Sequence, residues 1–189
     1  MQPIFDLDHT PLAADRRFAG IAAALSRLAP IDSSPAFNRY CREACRLWRE
    51  QFPGGIGATE QFRPLLARIE NTSDGIIRTG WGGVVITRHE HPQVEKFLVV
   101  RQGGYLALEM HEQKDERLEV CEGAGLILWR GPNDKPLMVQ SLAPGLQFHL
   151  VPGQEHCLIG TEDLLVFERS IDPKGMDQDL IFIYEPDVS

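Results

Sequence analysis

Residues 75–189 predict an all-β barrel or sandwich, and residues 1–74 predict a helical extension that precedes it. From about Gly75 onward, short apolar and β-branched runs alternate with breaks of glycine, proline and aspartate. Many short strands at near-regular spacing are typical of a barrel or sandwich, not of a parallel sheet with helices between its strands. The predicted strands cover residues 84–87, 96–100, 105–111, 118–121, 126–129, 137–142, 147–151, 157–159, 164–169 and 180–184.

Apolar stripes at helical spacing predict the helices of residues 12–70. Pro30 follows the first stripe, Pro53 follows the second, and Thr59 is the expected cap of the third, with Pro64 in its first turn. We expect these helices to pack against the barrel or against a partner subunit. The stripes are Ile21, Leu25 and Leu28; Tyr40, Ala44, Leu47 and Trp48; and Phe62, Leu65, Leu66 and Ile69.

Composition excludes several classes of function. The 189 residues carry a formal net charge of -8, which repels phosphate backbones and anionic lipid, so neither a nucleic-acid nor a membrane partner is expected. No apolar run approaches the roughly 20 residues of a membrane span, and the first residues do not resemble a signal peptide. The four cysteines form no CxxC pair. A cytoplasmic location is the simplest expectation.

Polar residues that favour metal binding cluster in a predicted hairpin, residues 105–123. Side chains alternate along a strand, so Glu109 and His111 share one face with Tyr105. A turn at residues 114–115 lets His111, Gln113 and Glu116 point toward one place. A Pro-Gly turn at residues 152–153 delivers His156 at the start of another strand. Imidazole, carboxylate and amide oxygen together predict one divalent ion, Zn, Mn, Fe, Co or Ni.

These two motifs resemble those of the cupin superfamily, whose fold is a double-stranded β-helix, or jelly-roll barrel. His111, Glu116 and Gly123 match the first cupin motif by type and spacing, and the second matches Pro152, Gly153 and His156. Residues 79–185 look most similar to the C-terminal domain of type II mannose-6-phosphate isomerases, through Trp81-Gly82, Glu95-Lys96, Gly103 to His111 and Phe167 to Ser170. The resemblance implies a carbohydrate ligand and a homodimer.

The sequence departs from that family at and near the expected site. Glu109 stands where the family has glutamine, Gln113 replaces the second metal histidine, and Arg117-Leu118 replaces a His-Trp pair. Gln113 is therefore either a ligand or a residue that orients one. The arginines that end the family's domain are missing after Asp179. Because arginine suits bidentate capture of phosphate, their loss weakens the inference of a phosphorylated substrate.

Glu109 and Lys96 are the candidate catalytic residues. A carboxylate inside an apolar barrel beside a metal has a shifted pKa and can act as a general base. The structural alternative, which the sequence favours, is that Glu109 forms an ion pair with Lys96 or Arg117. Lys96 either contacts a ligand or is a solvated strand residue.

Three functions remain open at this stage. The leading hypothesis is a sugar or sugar-phosphate isomerase-like enzyme whose metal stabilises an enediolate. The second is a non-catalytic cupin that binds a metal and a sugar or other small molecule, which the altered positions 109, 113 and 117 favour. The third is an Fe(II)-dependent oxygenase, since two imidazoles and one carboxylate can form a facial triad.

Overall fold

The computed structural model describes residues 3–131 and 135–187. The helices are α1 (Thr10–Ala13), α2 (Ala19–Leu25), α3 (Ser34–Gln51) and α4 (Phe62–Asn71), with a 3₁₀ turn at Arg16–Phe18 between the first two. The strands are β1 (Leu7–Asp8), β2 (Ile76–Thr79), β3 (Gly82–Glu90), β4 (Gln93–Val100), β5 (Leu108–His111), β6 (Asp115–Gly123), β7 (Gly125–Arg130), β8 (Leu137–Leu142), β9 (Gln147–Leu150), β10 (His156–Ile159), β11 (Leu164–Ile171) and β12 (Leu180–Tyr184).

The strands form two six-stranded sheets. The first has the order β1-β8-β7-β10-β5-β12, and the second has the order β2-β3-β4-β11-β6-β9. Neighbouring strands are antiparallel, except that β1 runs parallel to β8. This is the double-stranded β-helix of the cupin fold, so the predicted all-β fold class is confirmed.

Every predicted strand is present, although two are shorter than expected: β9 ends one residue early, and β5 differs more. Strand β5 begins at Leu108, whereas the sequence pattern predicted a start at Tyr105. Tyr105 forms an isolated bridge with Ile159, and its hydroxyl donates to the buried Asn38 side chain of α3. Tyr105 therefore lies outside β5, although it lines the same cavity as Glu109. The short strands β1 and β2 were not predicted.

The inner faces of the two sheets enclose an apolar core. In β4 and β11, every second side chain points inward, as the period of a strand requires. Leu98 and Val100 lie inside from β4, and Leu164 and Val166 lie inside from β11. The rest of this core is Val84, Leu106, Leu118, Val120, Ile127, Leu142, Leu150 and Leu158.

The helices cover the outer faces of both sheets. Helices α1, α2 and α3 share a second core with the first sheet, where Trp48 of α3 is fully buried. Helix α4 packs Phe62 and Ile69 on the second sheet, against Val99 and Leu165. The helical extension is thus packed against the barrel, and β1 adds a strand to its sheet. No helix in the described part of the chain is long and apolar enough to span a membrane.

Two buried carboxylates of the barrel attach the segment between α3 and α4. Glu162 accepts hydrogen bonds from Trp48 Nε1 at 2.8 Å and from the N–H groups of Ile56 and Gly57. Glu122 accepts from the N–H groups of Gln61 and Phe62, where α4 begins. The predicted cap at Thr59 is therefore wrong, because a carboxylate from β6 satisfies the first donors of this helix.

Replacement of Glu162 by alanine should loosen this attachment. The change leaves the Trp48 indole and two backbone N–H groups without their acceptor, which costs about 2–4 kcal/mol for donors to a buried charge. We expect the free energy of unfolding, measured by urea titration, to fall by that amount. Glu60→Ala, at an exposed position of the same segment, is the matched control. Equal stability of the two variants would contradict the assigned role of Glu162.

Candidate functional site

The barrel contains a cavity of about 670 Å³ that is lined by residues of both sheets. Most of its wall is apolar, and Ile77 and Phe182, both exposed, lie at its lining. Charged side chains from both sheets and from the segment before β12 also line it. A cavity of this size, apolar with a few converging polar groups, is typical of a small-molecule site. The Arg, Lys, His, Asp and Glu residues of the lining are Arg42, Lys96, Glu109, His111, Lys114, Glu116, His156, Glu168, Asp177, Glu185 and Asp187.

Asp179 fixes the turn that follows β5. Its carboxylate accepts from His111 Nδ1 at 2.8 Å, and from the N–H groups of Gln113 at 2.6 Å and Lys114 at 2.9 Å. Burial raises the pKa of Asp179, but these hydrogen bonds outweigh burial and leave the pKa below its usual value. The Nδ1 side of the His111 ring is thus bonded to Asp179, and its Nε2 faces the cavity.

Lys114 occupies the centre of the charged cluster. Its ammonium Nζ lies 2.7 Å from Glu168, 2.8 Å from Glu116 and 2.9 Å from Asp177. It also lies 3.4 Å from His111 Nε2. Burial lowers the pKa of Lys114, but the three carboxylates outweigh burial and hold the pKa well above its usual value. The lysine is therefore a permanent cation, although only 2% of it is exposed.

The cluster extends to Lys96 and His156. Lys96 on β4 bonds Asp177 at 2.6 Å and lies 3.5 Å from Glu168. His156 Nε2 lies 2.9 Å from Glu116 Oε1, and its Nδ1 donates to the carbonyl of Gln154. Burial lowers the pKa of His156, but Glu116 outweighs it and raises the pKa to about 9. Burial raises the pKa of Glu116, yet Lys114 and His156 hold it well below its usual range.

Glu109 stands apart from this network. It projects from β5 into the cavity beside His156, with 4.0 Å between its Oε1 and Nε2 of the imidazole. Burial raises the pKa of its carboxyl to about 7, against the opposing effect of His156. Within the described residues, no protein donor hydrogen-bonds to this carboxyl, and its ion pair with Lys96 or Arg117, which the sequence favoured, is not found.

The structure brings most of the sequence-predicted residues together. His111, Glu116, His156, Glu109 and Lys96 all line the cavity. Gln113 does not: its side chain is exposed, because the turn held by Asp179 directs the next residue inward instead. Sequence reasoning missed Lys114, Glu168, Asp177 and Asp179.

The residues present do not fit a divalent metal ion. His156 is directed at Glu116, and the Lys114 ammonium lies between Glu116 and His111, so the candidate ligands are already bound to other groups. Among residues 3–131 and 135–187, no group of three or more His, Cys, Asp or Glu side chains is arranged to hold a metal. The predicted metal centre, and with it the Fe(II)-dependent oxygenase, gains no support from this geometry.

Comparison with known proteins agrees with the fold. No family model and no curated protein sequence matches the chain. The capsular polysaccharide assembling protein CapF of Staphylococcus aureus is similar in structure, with a TM-score of 0.50 and 15% identity over 61% of this chain and 34% of CapF. The chain thus spans about a third of the length of CapF. These likenesses define a cupin-fold protein and nothing more specific.

Other solved structures match with lower scores. KdgF of Halomonas sp. has a TM-score of 0.44 and 21% identity over 57% of this chain and 86% of its own. The L-ribose isomerase of Cellulomonas parahominis has a TM-score of 0.45 and 14% identity over 53% of this chain and 68% of its own. The specific likeness to mannose-6-phosphate isomerases stays a prediction.

Asp177→Asn should make stability less dependent on pH in acid. Burial raises the pKa of Asp177, but Lys114 and Lys96 outweigh it and lower the pKa from 3.8 to about 2. Because the folded-state pKa is the lower one, the ionised group stabilises the fold fully above pH 3.8. That contribution, about 2 kcal/mol, disappears as the pH falls through this window.

Urea unfolding of the parent and of Asp177→Asn, compared at a series of pH values, measures this contribution. The difference in free energy of unfolding should be constant above pH 3.8 and should shrink as the pH falls toward about 2. Asp74→Asn, at an exposed position, is the control and should match the parent. A difference that does not change with pH would show that Asp177 makes no such ion pair.

Proposed function

We propose that the cavity binds an uncharged small molecule with neighbouring carbonyl and hydroxyl groups, such as an open-chain sugar, and that Glu109 moves a proton on it. The observation that carries this proposal is the state of the Glu109 carboxyl. It lies on the cavity wall beside His156, with 13% of its side chain exposed, and accepts no hydrogen bond from the described protein groups. With a pKa of about 7, it can both remove and return a proton near neutral pH.

The charges around the cavity favour an uncharged ligand. The cations Lys96, Lys114 and His156 are matched by more anions: Glu116, Glu168, Asp177 and Asp179. Arg42, at the lining of the cavity, is bonded to Asp187. A phosphate group would therefore lie beside a negative cluster, and Arg42, the arginine of the lining, is already paired. The proposed isomerase-like activity is accordingly restricted to unphosphorylated substrates.

The proposed chemistry uses this chain's own groups. The Glu109 carboxylate takes the proton from the carbon next to the carbonyl, and the electron pair of that C–H bond moves toward the carbonyl oxygen. The His156 imidazolium, 4.0 Å from Glu109, is placed to offset the negative charge that develops on this oxygen. The proton of the neighbouring hydroxyl passes to the former carbonyl oxygen, so that this hydroxyl becomes the new carbonyl. Return of the proton from Glu109 to the former carbonyl carbon then completes an aldose–ketose exchange.

A second candidate function is binding without turnover. It is favoured by the saturation of Lys114, whose ammonium has three protons and already faces three carboxylates. Both ring nitrogens of His156 also have partners in the protein. In this case the ligand would be held by the apolar wall and by Glu109 alone.

Solvent-deuterium exchange separates the two functions. The parent is incubated in D₂O with a panel of unphosphorylated aldoses and ketoses, and loss of the proton next to the carbonyl is followed by proton NMR. We expect exchange with the parent and a rate lower by about 10²–10⁴-fold with Glu109→Gln, because the amide cannot act as a base. The rise in melting temperature that each sugar produces should be about the same in the variant as in the parent.

Glu112→Gln is the matched control. Glu112 follows the same strand but is exposed and paired with Lys174, so its loss should leave the exchange rate at the parent value. Equal rates for the parent and Glu109→Gln would mean that Glu109 is not the base. A sugar that stabilises the parent but exchanges no proton would establish the binding function instead.

A further inference from the structure

We infer that the ammonium of Lys114 takes the position of a metal ion in this barrel, so that the site carries a built-in cation and binds no divalent metal. The inference is independent of proton transfer by Glu109. It concerns the point toward which His111 Nε2, Glu116 and Glu168 are directed from β5, β6 and β11.

The distances place the ammonium among the groups that would otherwise be metal ligands. Nζ lies 2.8 Å from Glu116 and 3.4 Å from His111 Nε2, which are the two residues that the first motif offers to a metal. Glu168 at 2.7 Å adds a further carboxylate. A divalent ion at this point would have to displace an ammonium that is already the centre of the cluster, and the two cations repel each other.

The local chain explains why a lysine can reach this point. Asp179 binds the N–H groups of Gln113 and Lys114 and also the ring of His111. One carboxylate therefore orients the histidine and the turn that carries the lysine. Lys114 is consequently buried while Gln113 is exposed, and the lysine ammonium lies beside the imidazole.

Charge balance makes the lysine necessary to the arrangement. Glu116, Glu168 and Asp177 are drawn to within hydrogen-bond distance of one atom, and without a cation they would repel one another at close range. Loss of the ammonium alone should therefore leave an anionic pocket with an adjacent imidazole. Carboxylate oxygens and an imidazole nitrogen are suitable ligands for Co²⁺, Zn²⁺ or Mn²⁺.

The test compares metal uptake by the parent and by Lys114→Ala. Each protein is stripped with chelator, incubated with Co²⁺ or Zn²⁺, desalted and analysed by elemental mass spectrometry, and Co²⁺ binding is followed by its visible absorption. We expect no retained metal in the parent. We expect about one equivalent in the variant, with an affinity at least about tenfold higher than that of the parent.

Two further variants locate the effect. Lys174→Ala, which removes an exposed lysine, should behave as the parent. Lys114→Ala combined with His111→Ala should lose the gained metal and its absorption bands. If Lys114→Ala does not fold, Lys114→Ala combined with Glu168→Gln removes a cation and an anion together and serves as the same test.

The outcomes are distinct from those of the exchange assay. Stoichiometric metal in the parent that His111→Ala abolishes would overturn the inference, as would a folded Lys114 variant that gains no metal. Neither result depends on whether any sugar is turned over. Conversely, a failure of Glu109 to exchange protons would leave the metal result unchanged.

Discussion

The contact of the Lys114 ammonium with three carboxylates is the interaction on which the charged part of the cavity depends. Glu116 and Glu168 come from two adjacent strands of one sheet, and Asp177 comes from the segment that leads to the other. A buried charge is costly unless it is fully paired, so these groups must meet at one point or not be buried at all. The ion cluster thereby fixes how β6, β11 and the segment before β12 lie relative to one another.

Because the charged groups pair with one another, the rest of the cavity wall can be apolar. The charges of the Lys114 cluster lie close together and largely satisfy one another, whereas side chains such as Trp81 and Leu158 give the cavity an apolar lining. Glu109 lines the cavity beside His156 of this cluster. Its position there, with no donor among the described residues, is the reason that burial dominates its pKa.

Much of the fold and part of the site followed from the period of the strands. Lys96 alternates with Leu98 and Val100, and Glu168 alternates with Leu164 and Val166, so both charges lie on the inner face by the same rule. Lys96 was recognised as a candidate, and Glu168 had the same signal. The sheet order and the short edge strands β1 and β2 could not be predicted, because they depend on pairing between distant segments.

Lys114 could not be found in this way. A lysine in a turn is ordinarily solvated, and its inward direction depends on Asp179, 65 residues further along the chain. The same long-range contact explains why Gln113 was assigned to the site although it is exposed. Local spacing describes which residue types are near one another, but only the tertiary hydrogen bonds decide which of them turns inward.

The packing of the N-terminal helices on the first sheet affects the order in which the chain acquires its structure. Helices α2 and α3 precede the barrel in the chain, yet the residues of the later strands that pack against them lie between Leu108 and Tyr184. Contacts between such distant segments form late because closing the long intervening loop costs entropy. During translation, the apolar stripes of these helices therefore remain exposed to water until the strands that pack against them have left the ribosome.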